Sequence, residues 1–287
     1  MKVLVCAAYG NQGRQLVPKL VKAGVDVRAL DFSPAAEEKL YEMGAKEVII
    51  GDLRKDSIME KAITGVDTIY LVLPSGLSRV VGMAEALIEM AEEKGVKHFV
   101  FSSCMNVVPE LVQHWEKYLI ESVLMGSLLN YTILKPCGYM EVHYPPTNGV
   151  FSTGVFVPVM PNSKISSFIS VDDITSAACK VITEGEPHYF ASYDLCAPGH
   201  YDTEGAIELL GKCLKENGLE LKITPPDPQP LPAEMPVHTK DMLGRIMTYH
   251  GNHPYRGNPF IFTSLMGHPA KTLEEFFKEN IIKAGVH

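Results

Sequence analysis

The chain has 287 residues, of which 46% are hydrophobic and 21% charged, enough for one large α/β domain or for a core domain with a smaller companion. Its formal net charge of −8 argues against a general basic surface for nucleic acid or for an anionic membrane. No apolar run approaches the roughly 18 residues that a membrane-spanning helix needs. The six cysteines form no Cys-x-x-Cys pair, and no Cys/His cluster has zinc-ligand spacing. We therefore expect a cytoplasmic protein with reduced thiols and no metal site.

Short apolar strands and amphipathic helices alternate in the first half of the chain. The apolar residues 2–7 favour a buried first strand over a signal peptide. Capping patterns at Ser33-Pro34 and at Ser57-x-x-Glu60 predict the starts of two helices. The alternation predicts right-handed βαβ units and a doubly wound parallel sheet with helices on both faces. The predicted strands are 2–7, 26–30, 47–50, 68–73, 98–102 and 131–134, and the predicted longer helices are 12–23, 80–94 and 110–125.

The second half is richer in glycine, proline and aromatic residues and shows fewer helical patterns. We predict a sheet domain over 1–137, onto which 167–184 packs back, and a smaller lobe over 138–287. The elements predicted for this half are a strand and a helix over 167–181 with Asp172 or Asp173 near the helix start, a helix over 200–217, a surface loop or lid over the proline-rich 225–236, and a final helix capped by Thr272-x-x-Glu275.

A glycine-containing turn joins the first strand to the first helix, with the sequence Ala7-Ala8-Tyr9-Gly10-Asn11-Gln12-Gly13. Its spacing matches the G-x-x-G-x-x-G variant of dinucleotide-binding turns, with Ala7 in the first glycine position. A pyrophosphate needs backbone N–H groups at a helix start and no side chain in the way. Gly10 would permit this close approach, and Gly13 would let the helix pack on the strand. A plain turn without a ligand is the alternative.

The end of the second strand carries an acid that bears on the choice of cofactor. Asp31 lies 18 residues after Gly13, near the spacing of a carboxylate that accepts hydrogen bonds from the ribose hydroxyls. A carboxylate there would repel a 2′-phosphate, so we predict that NAD(H) is favoured over NADP(H). No arginine follows, because the next residues are Phe32 and Ser33. Alternatively, Asp31 serves only the start of the next helix, where negative charge is favourable.

The turn, the strand ends and the C-terminal tail together resemble the NmrA-like group of atypical short-chain dehydrogenases/reductases. The resemblance covers most of the chain and is strongest over residues 1–140. The sequence departs from the group at Ala7 and at Asp31-Phe32, which replaces an uncharged residue followed by arginine. The second departure argues against the NADP preference common in the group. The matching segments are 8–13, 27–30, 51–53, 101–103, 131–136, 257–259 and 272–276.

This resemblance implies a Rossmann-type domain that binds a nicotinamide nucleotide and a C-terminal lobe that binds the substrate. Asp52 and Leu53 would lie by the adenine, and Pro136 would approach the nicotinamide. Members of the group either reduce quinones, dyes, enones or phenylpropanoid-like compounds, or bind the nucleotide as sensors. The turn and the resemblance together predict these cofactor-binding residues: Ala8, Tyr9, Gly10, Asn11, Gln12, Gly13, Asp31, Asp52, Leu53, Leu73, Pro74, Ser75, Ser102, Lys117 and Pro136.

The acid/base pair usual in short-chain dehydrogenases, Tyr-x-x-x-Lys, is incomplete here. Lys117 is the plausible lysine, but Gln113 stands four residues before it and Tyr118 should face elsewhere on the helix. Lys117 would hold the nicotinamide ribose and stabilise a developing oxyanion. The alternative is a surface lysine paired with Glu121 one turn later.

Further candidates lie near the predicted strand ends. His114, one turn before Lys117, is either a proton donor or an exposed helical histidine. Ser102 and Ser103 follow the fifth strand, where open α/β sheets bind ligands, so Ser102 is a catalytic candidate and Ser103 a substrate-binding one. The substrate cleft would also include Tyr139, Met140 and His143, although such residues more often serve packing.

Three functions follow from these residues. The first is an NAD(P)-dependent reductase that transfers hydride to a carbonyl or conjugated compound, such as a quinone, an enone, or an aromatic or polycyclic molecule. Delocalised charge in such acceptors would make the missing tyrosine less necessary. The second is a nucleotide-binding sensor that regulates a partner protein without turnover. An epimerase or dehydratase is weaker, because those reactions rely on the tyrosine. We expect a small apolar substrate, no nucleic-acid or membrane partner, and a monomer or homodimer.

Overall fold

A computed structural model describes residues 1–74, 76–160, 162–224 and 237–285. The strands in these ranges are β1 (Lys2–Cys6), β2 (Asp26–Asp31), β3 (Glu47–Ile50), β4 (Thr68–Val72), β5 (His98–Ser102), β6 (Tyr131–Pro136), β7 (Gly138–Tyr139), β8 (Val155–Phe156), β9 (Phe168–Ile169), β10 (Ala191–Leu195) and β11 (Lys222–Ile223). The helices are α1 (Gly13–Lys22), α2 (Glu37–Glu42), α3 (Asp56–Ile63), α4 (Val80–Glu93), α5 (Val112–Gly126), α6 (Met140–His143), α7 (Val150–Thr153), α8 (Val171–Glu184), α9 (Thr203–Glu216), α10 (Val237–Asn252), α11 (Phe260–Met266) and α12 (Leu273–Lys283).

Seven strands form one sheet in the order β3-β2-β1-β4-β5-β6-β10. The pairs from β3 to β6 are all parallel, with Val5 opposite Ala29 on one side and opposite Tyr70 on the other. The predicted doubly wound, Rossmann-type sheet is therefore confirmed. The strand order reverses between β1 and β4, and the carboxyl ends of strands at such a point form the usual ligand crevice.

Apolar side chains cover both faces of the central strands. Ile69 and Leu71 of β4 and Phe99 of β5 are fully buried in a cluster that includes Leu87 and Ile88 of α4. Burying each such side chain contributes about 1.5–3 kcal/mol. The near-continuous apolar runs are thus what a strand covered on both faces requires.

The chain divides into two compact units. The first contains residues 1–135 and 174–193, and the second contains residues 136–173 and 194–287. The second unit has an aromatic core in which the edge of the Tyr144 ring meets Phe277 of α12 at 5.0 Å between centroids, and Phe151 lies 6.1 Å from Phe277. The assignment of cofactor binding to one part and substrate binding to the other stays a prediction.

Capping shows where the sequence patterns were right and wrong. Thr272 and Glu275 form both bonds of the predicted capping box at the start of α12. The box predicted at Ser57 is wrong, because α3 begins at Asp56 and Ser57 lies inside its first turn. Ser33 makes no capping bond either, because a 3₁₀ turn over Pro34–Ala36 precedes α2.

The second half contains elements that the sequence analysis missed. Strand β10 was not predicted because its residues are largely polar and only Leu195 is buried. Helices α10 and α11 were also missed, and the predicted proline-rich lid at 225–236 lies outside the described residues. No helix in the described part of the chain is long and apolar enough to cross a bilayer. Within the same residues, no group of three His, Cys, Asp or Glu side chains is arranged to hold a metal ion.

A buried histidine makes stability depend on pH. His98, at the start of β5, is 2% exposed, and its Nε2 lies 2.8 Å from Thr132 Oγ1, while the Thr132 hydroxyl donates to the carbonyl of His188. His98 Nε2–H is therefore the donor, and Nδ1 has no hydrogen-bond partner among the described residues. Burial lowers the pKa of His98 from 6.5 to about 4, and the nearby His188 adds to the effect.

We expect the free energy of unfolding to fall as the pH drops from 6.5 to about 4. In this window the unfolded chain binds a proton that the folded His98 refuses, which costs roughly 3 kcal/mol across the whole window. Urea unfolding at several pH values should show a steeper dependence for the wild type than for His98→Asn. The exposed His200 provides a matched control, His200→Asn, which should keep the wild-type slope. Equal slopes for the wild type and His98→Asn would contradict the prediction.

Candidate functional site

The glycine-containing turn leaves β1 and enters α1 at the point where the strand order reverses. The N–H of Ala8 donates to Leu30 O at 2.9 Å, and that of Gly10 donates to Ala7 O at 2.9 Å. A Cβ atom on Gly13 would lie 2.4 Å from Ala8 O, so only glycine fits there. Ala7 has φ 49°, in the left-handed region where glycine adopts the backbone without strain. The turn therefore has the backbone shape of its glycine pattern even without the first glycine.

A buried polar network lies beneath this turn. Gln12 Nε2 donates to Ser102 Oγ at 3.0 Å, and the Tyr70 hydroxyl donates to Gln12 Oε1. The three residues are at most 2% exposed. The side chains of Gln12 and Ser102, both predicted to bind cofactor, thus tie the turn to the middle of β4 and to the end of β5.

Asp31 stands at the end of β2 with both carboxylate oxygens occupied. Its Oδ2 accepts from the backbone N–H of Tyr9 at 2.8 Å, and its Oδ1 accepts from that of Ser33 at 3.0 Å. The carboxylate is therefore fixed at the mouth of the turn. The geometry is compatible with both predicted roles of Asp31. A fixed acceptor can bind ribose hydroxyls, and it also orders the backbone that leads to the next helix.

A pocket of about 530 Å³ opens beside Asp31 at the carboxyl ends of β1, β2 and β4. Its floor is apolar, and its rim brings together the predicted residues Asp52, Leu53, Leu73 and Pro74. An apolar slot next to a glycine-containing turn at a helix start is suited to the adenosine and pyrophosphate of a dinucleotide. Ser75, also predicted here, lies outside the described residues.

Arg54 also lines this pocket, and the sequence analysis missed it. Its Nε and Nη2 bind the carboxylate of Asp52 at 2.9 and 2.7 Å, and this hydrogen bonding lowers the pKa of Asp52. Asp52 and Leu53 are the residues that the resemblance places by the adenine, and the arginine directly follows them in the sequence.

Lys117 lies at the carboxyl end of β5 rather than in a surface ion pair. Its Nζ donates to the carbonyl oxygen of Ser103 at 2.9 Å. Glu121, the alternative partner, is 3% exposed and instead binds Lys135 at 2.7 Å and accepts from the Ser103 hydroxyl. The pairing of Lys117 with Glu121 is therefore not formed, and the cation is directed to the strand end.

The other chemical candidates are more buried than the sequence suggested. His114 is 8% exposed, with its Nδ1 3.2 Å from Asn106 O, so the exposed-histidine alternative is wrong. Ser103 is fully buried and its hydroxyl is bound to Glu121, so substrate would have to reach it through a rearrangement.

The remaining predicted residues belong to the second unit. Pro136 is buried at its start, and Met140 is 1% exposed, whereas Tyr139 and His143 are partly exposed. His143 borders a cleft of about 310 Å³ lined also by Tyr144, Met160 and Phe168. Burial, aided by His250, lowers the pKa of His143 to about 4, so it is neutral near pH 7. The cleft therefore offers aromatic surface and an uncharged imidazole.

Comparisons with known proteins are consistent with this geometry. The NmrA-like family model matches residues 1–276. An NAD(P)H azoreductase from Xenophilus azovorans is 27% identical over 68% of this chain and 68% of its own. An NADPH-dependent quinone oxidoreductase from Escherichia coli, solved with NADPH, is 22% identical, has a TM-score of 0.76 and matches 96% of this chain and 99% of its own. NmrA, a negative transcriptional regulator solved with NADP, is 16% identical, has a TM-score of 0.77 and matches 99% of this chain and 96% of its own.

Proposed function

This chain belongs to the NmrA-like family, and on that premise we propose that it transfers hydride from NAD(P)H to a carbonyl or conjugated small molecule, such as a quinone, an enone or another aromatic or polycyclic acceptor. The expected class, an NAD(P)-dependent oxidoreductase of the atypical short-chain dehydrogenase type, is confirmed at the level of its relatives, which include an azoreductase and a quinone oxidoreductase. The acceptor itself is the proposed part.

The position of Lys117 carries this proposal. Its ammonium group is held by Ser103 O at the carboxyl end of β5, in the same unit as the glycine-containing turn. When bound, the nicotinamide supplies the hydride, and a proton completes the two-electron reduction. Lys117 would stabilise negative charge that develops on the acceptor oxygen, and Ser102 and His114 are the proposed polar and proton-bearing groups. An acceptor that delocalises its charge needs no tyrosine acid.

A second candidate function is a nucleotide-binding sensor that regulates a partner protein. The absent tyrosine favours it, as does the structural likeness to a transcriptional regulator solved with NADP. In that case the residues around the turn would bind the nucleotide without turnover.

The choice between NADH and NADPH is a finer proposal. We propose that NADH binds more tightly, because the fixed carboxylate of Asp31 accepts from ribose hydroxyls and repels a 2′-phosphate. The relatives solved with NADPH or NADP do not support this preference.

We expect the purified protein to oxidise NADH or NADPH with at least one member of a panel of quinones, enones, ketones and azo dyes at above roughly 1 per second. Lys117→Met should lower kcat about 10- to 100-fold, because the cation opposite the developing oxyanion is lost. Lys94→Met is the matched control, since Lys94 is an exposed lysine paired with Glu60, and it should leave kcat unchanged. Tight nucleotide binding without turnover on the whole panel would reject the reductase and favour the sensor.

A further inference from the structure

The pocket beside Asp31 contains a cation that can meet a 2′-phosphate. We infer that Arg54 is the residue through which this chain accepts NADP(H): it exchanges its bond with Asp52 for one with the 2′-phosphate and so offsets the repulsion by Asp31. The inference rests on the proposed binding of a nicotinamide dinucleotide, and it concerns which form of the dinucleotide the site accepts.

The first step is that Asp31 cannot turn away from a 2′-phosphate without loss. Its two oxygens accept from the backbone N–H groups of Tyr9 and Ser33. Rotation would break both bonds, and one of them orders the glycine-containing turn itself. The negative charge therefore stays at the pocket mouth whichever cofactor arrives.

The second step is that Arg54 is the one cation that lines this pocket in the described part of the chain. Its guanidinium binds the two carboxylate oxygens of Asp52 in the fork geometry that it would also offer to a phosphate. The pair is accessible to water, with side chains 33% and 19% exposed, so Arg54 can exchange its bond with Asp52 for one with a ligand. A phosphate carries more negative charge than the carboxylate and competes favourably for the same donors.

The charges in the pocket predict that substitution of Arg54 and substitution of either aspartate change the binding of a 2′-phosphate in opposite directions. Asp31, Asp52 and Arg54 sum to one negative charge, which favours the dinucleotide without the phosphate. Arg54→Gln removes the cation that opposes these two carboxylates and should select further against the phosphate. Asp52→Asn releases Arg54, and Asp31→Ala removes the repulsion, so both should select for it.

The rival residue is Arg14, on the other side of the turn. Its guanidinium lies 5.5 Å from the Tyr9 ring centroid and donates to Asn11 at 3.2 Å. Arg14 is the second residue of α1, directly after the turn, and a contact from there to the pyrophosphate would act on both dinucleotides alike. Arg14→Gln therefore separates the two readings.

The experiment is isothermal titration with 5′-AMP, 2′,5′-ADP, NADH and NADPH, which reads affinity without turnover. In Arg54→Gln we expect 2′,5′-ADP and NADPH to bind about tenfold more weakly, with 5′-AMP and NADH within twofold of wild type. In Asp52→Asn and Asp31→Ala we expect the opposite change, so that the dissociation constant of 2′,5′-ADP falls relative to that of 5′-AMP. Any contact of Asp52 with the adenine affects both ligands equally and cancels in this ratio. A circular dichroism spectrum like that of the wild type shows that each variant is folded.

Arg245→Gln is the matched control, because Arg245 is an exposed arginine that binds an aspartate, Asp241, at 2.8 Å and does not line the pocket. An unchanged 2′,5′-ADP to 5′-AMP ratio in Arg54→Gln, or a loss confined to Arg14→Gln, overturns the inference while leaving the proposed reductase intact. Failure of the wild type to bind any of the four ligands overturns the proposed function and the inference together.

Discussion

Replacing Gly13 with alanine is expected to abolish nucleotide binding and to lower the free energy of unfolding by about 3 kcal/mol or more. The added Cβ would lie 2.4 Å from the oxygen and 2.5 Å from the Cα of Ala8, and both are backbone atoms that cannot move aside. Relief would require the start of α1 to separate from β1, which opens the turn. Urea unfolding and titration with NADH measure the two effects.

Substitutions at two other glycines provide comparisons for the stability loss expected in Gly13→Ala. Gly10→Ala places Cβ at 3.1 Å from Ala7 O, so a smaller loss of stability is expected. Gly82 lies in the first turn of α4, where a Cβ would meet nothing within 4 Å, and Gly82→Ala should stabilise by up to about 1 kcal/mol. A Gly13→Ala protein as stable as the wild type and still able to bind nucleotide would refute the assigned close packing.

Removing the charge of Glu121 is expected to have the second largest effect. This carboxylate is 3% exposed, binds Lys135 at 2.7 Å and accepts from the Ser103 hydroxyl. Glu121→Gln leaves the cation of Lys135 without its counter-charge and should cost about 3–5 kcal/mol of unfolding free energy. Because Lys117 is held by the carbonyl of the same Ser103, the substitution should also reduce turnover.

A double-mutant cycle separates pairing from packing. Glu121→Leu combined with Lys135→Met should be more stable than Glu121→Leu alone, because no buried charge is then left unpaired. Glu60→Gln is the control, since the Glu60–Lys94 pair is exposed and should be worth less than about 1 kcal/mol. Additive effects in the cycle would show that the buried ion pair contributes nothing to stability.

The sequence predicted the sheet well because its strands are buried on both faces. The bounds of β3 and β5 match the predicted 47–50 and 98–102, and the glycine-containing turn and Asp31 lie at the carboxyl edge as their spacing implied. Strand β10 was not predicted because it is a polar edge strand and has no such apolar run. Features that depend only on a strand's own residues can therefore be predicted from the local sequence.

Contacts between residues far apart in the sequence could not be predicted in this way. Helical spacing pairs Glu121 with Lys117, one turn away, whereas its partner Lys135 comes from β6. Arg54 gains importance only when β2 and β4 bring Asp31 and Leu73 to the same pocket. Helical spacing could not distinguish a buried His114 from an exposed one, because its imidazole bonds the carbonyl of Asn106, which lies in a loop before the helix.

The network of Tyr70, Gln12 and Ser102 has a consequence for how fast a ligand is captured. Because side-chain hydrogen bonds already attach the turn to two strands, the backbone N–H groups of the turn are oriented before any anion binds. The entropy of ordering them is lost when the chain folds and not when it meets its coenzyme. Capture would then be governed by diffusion and charge, without a slow loop closure preceding it.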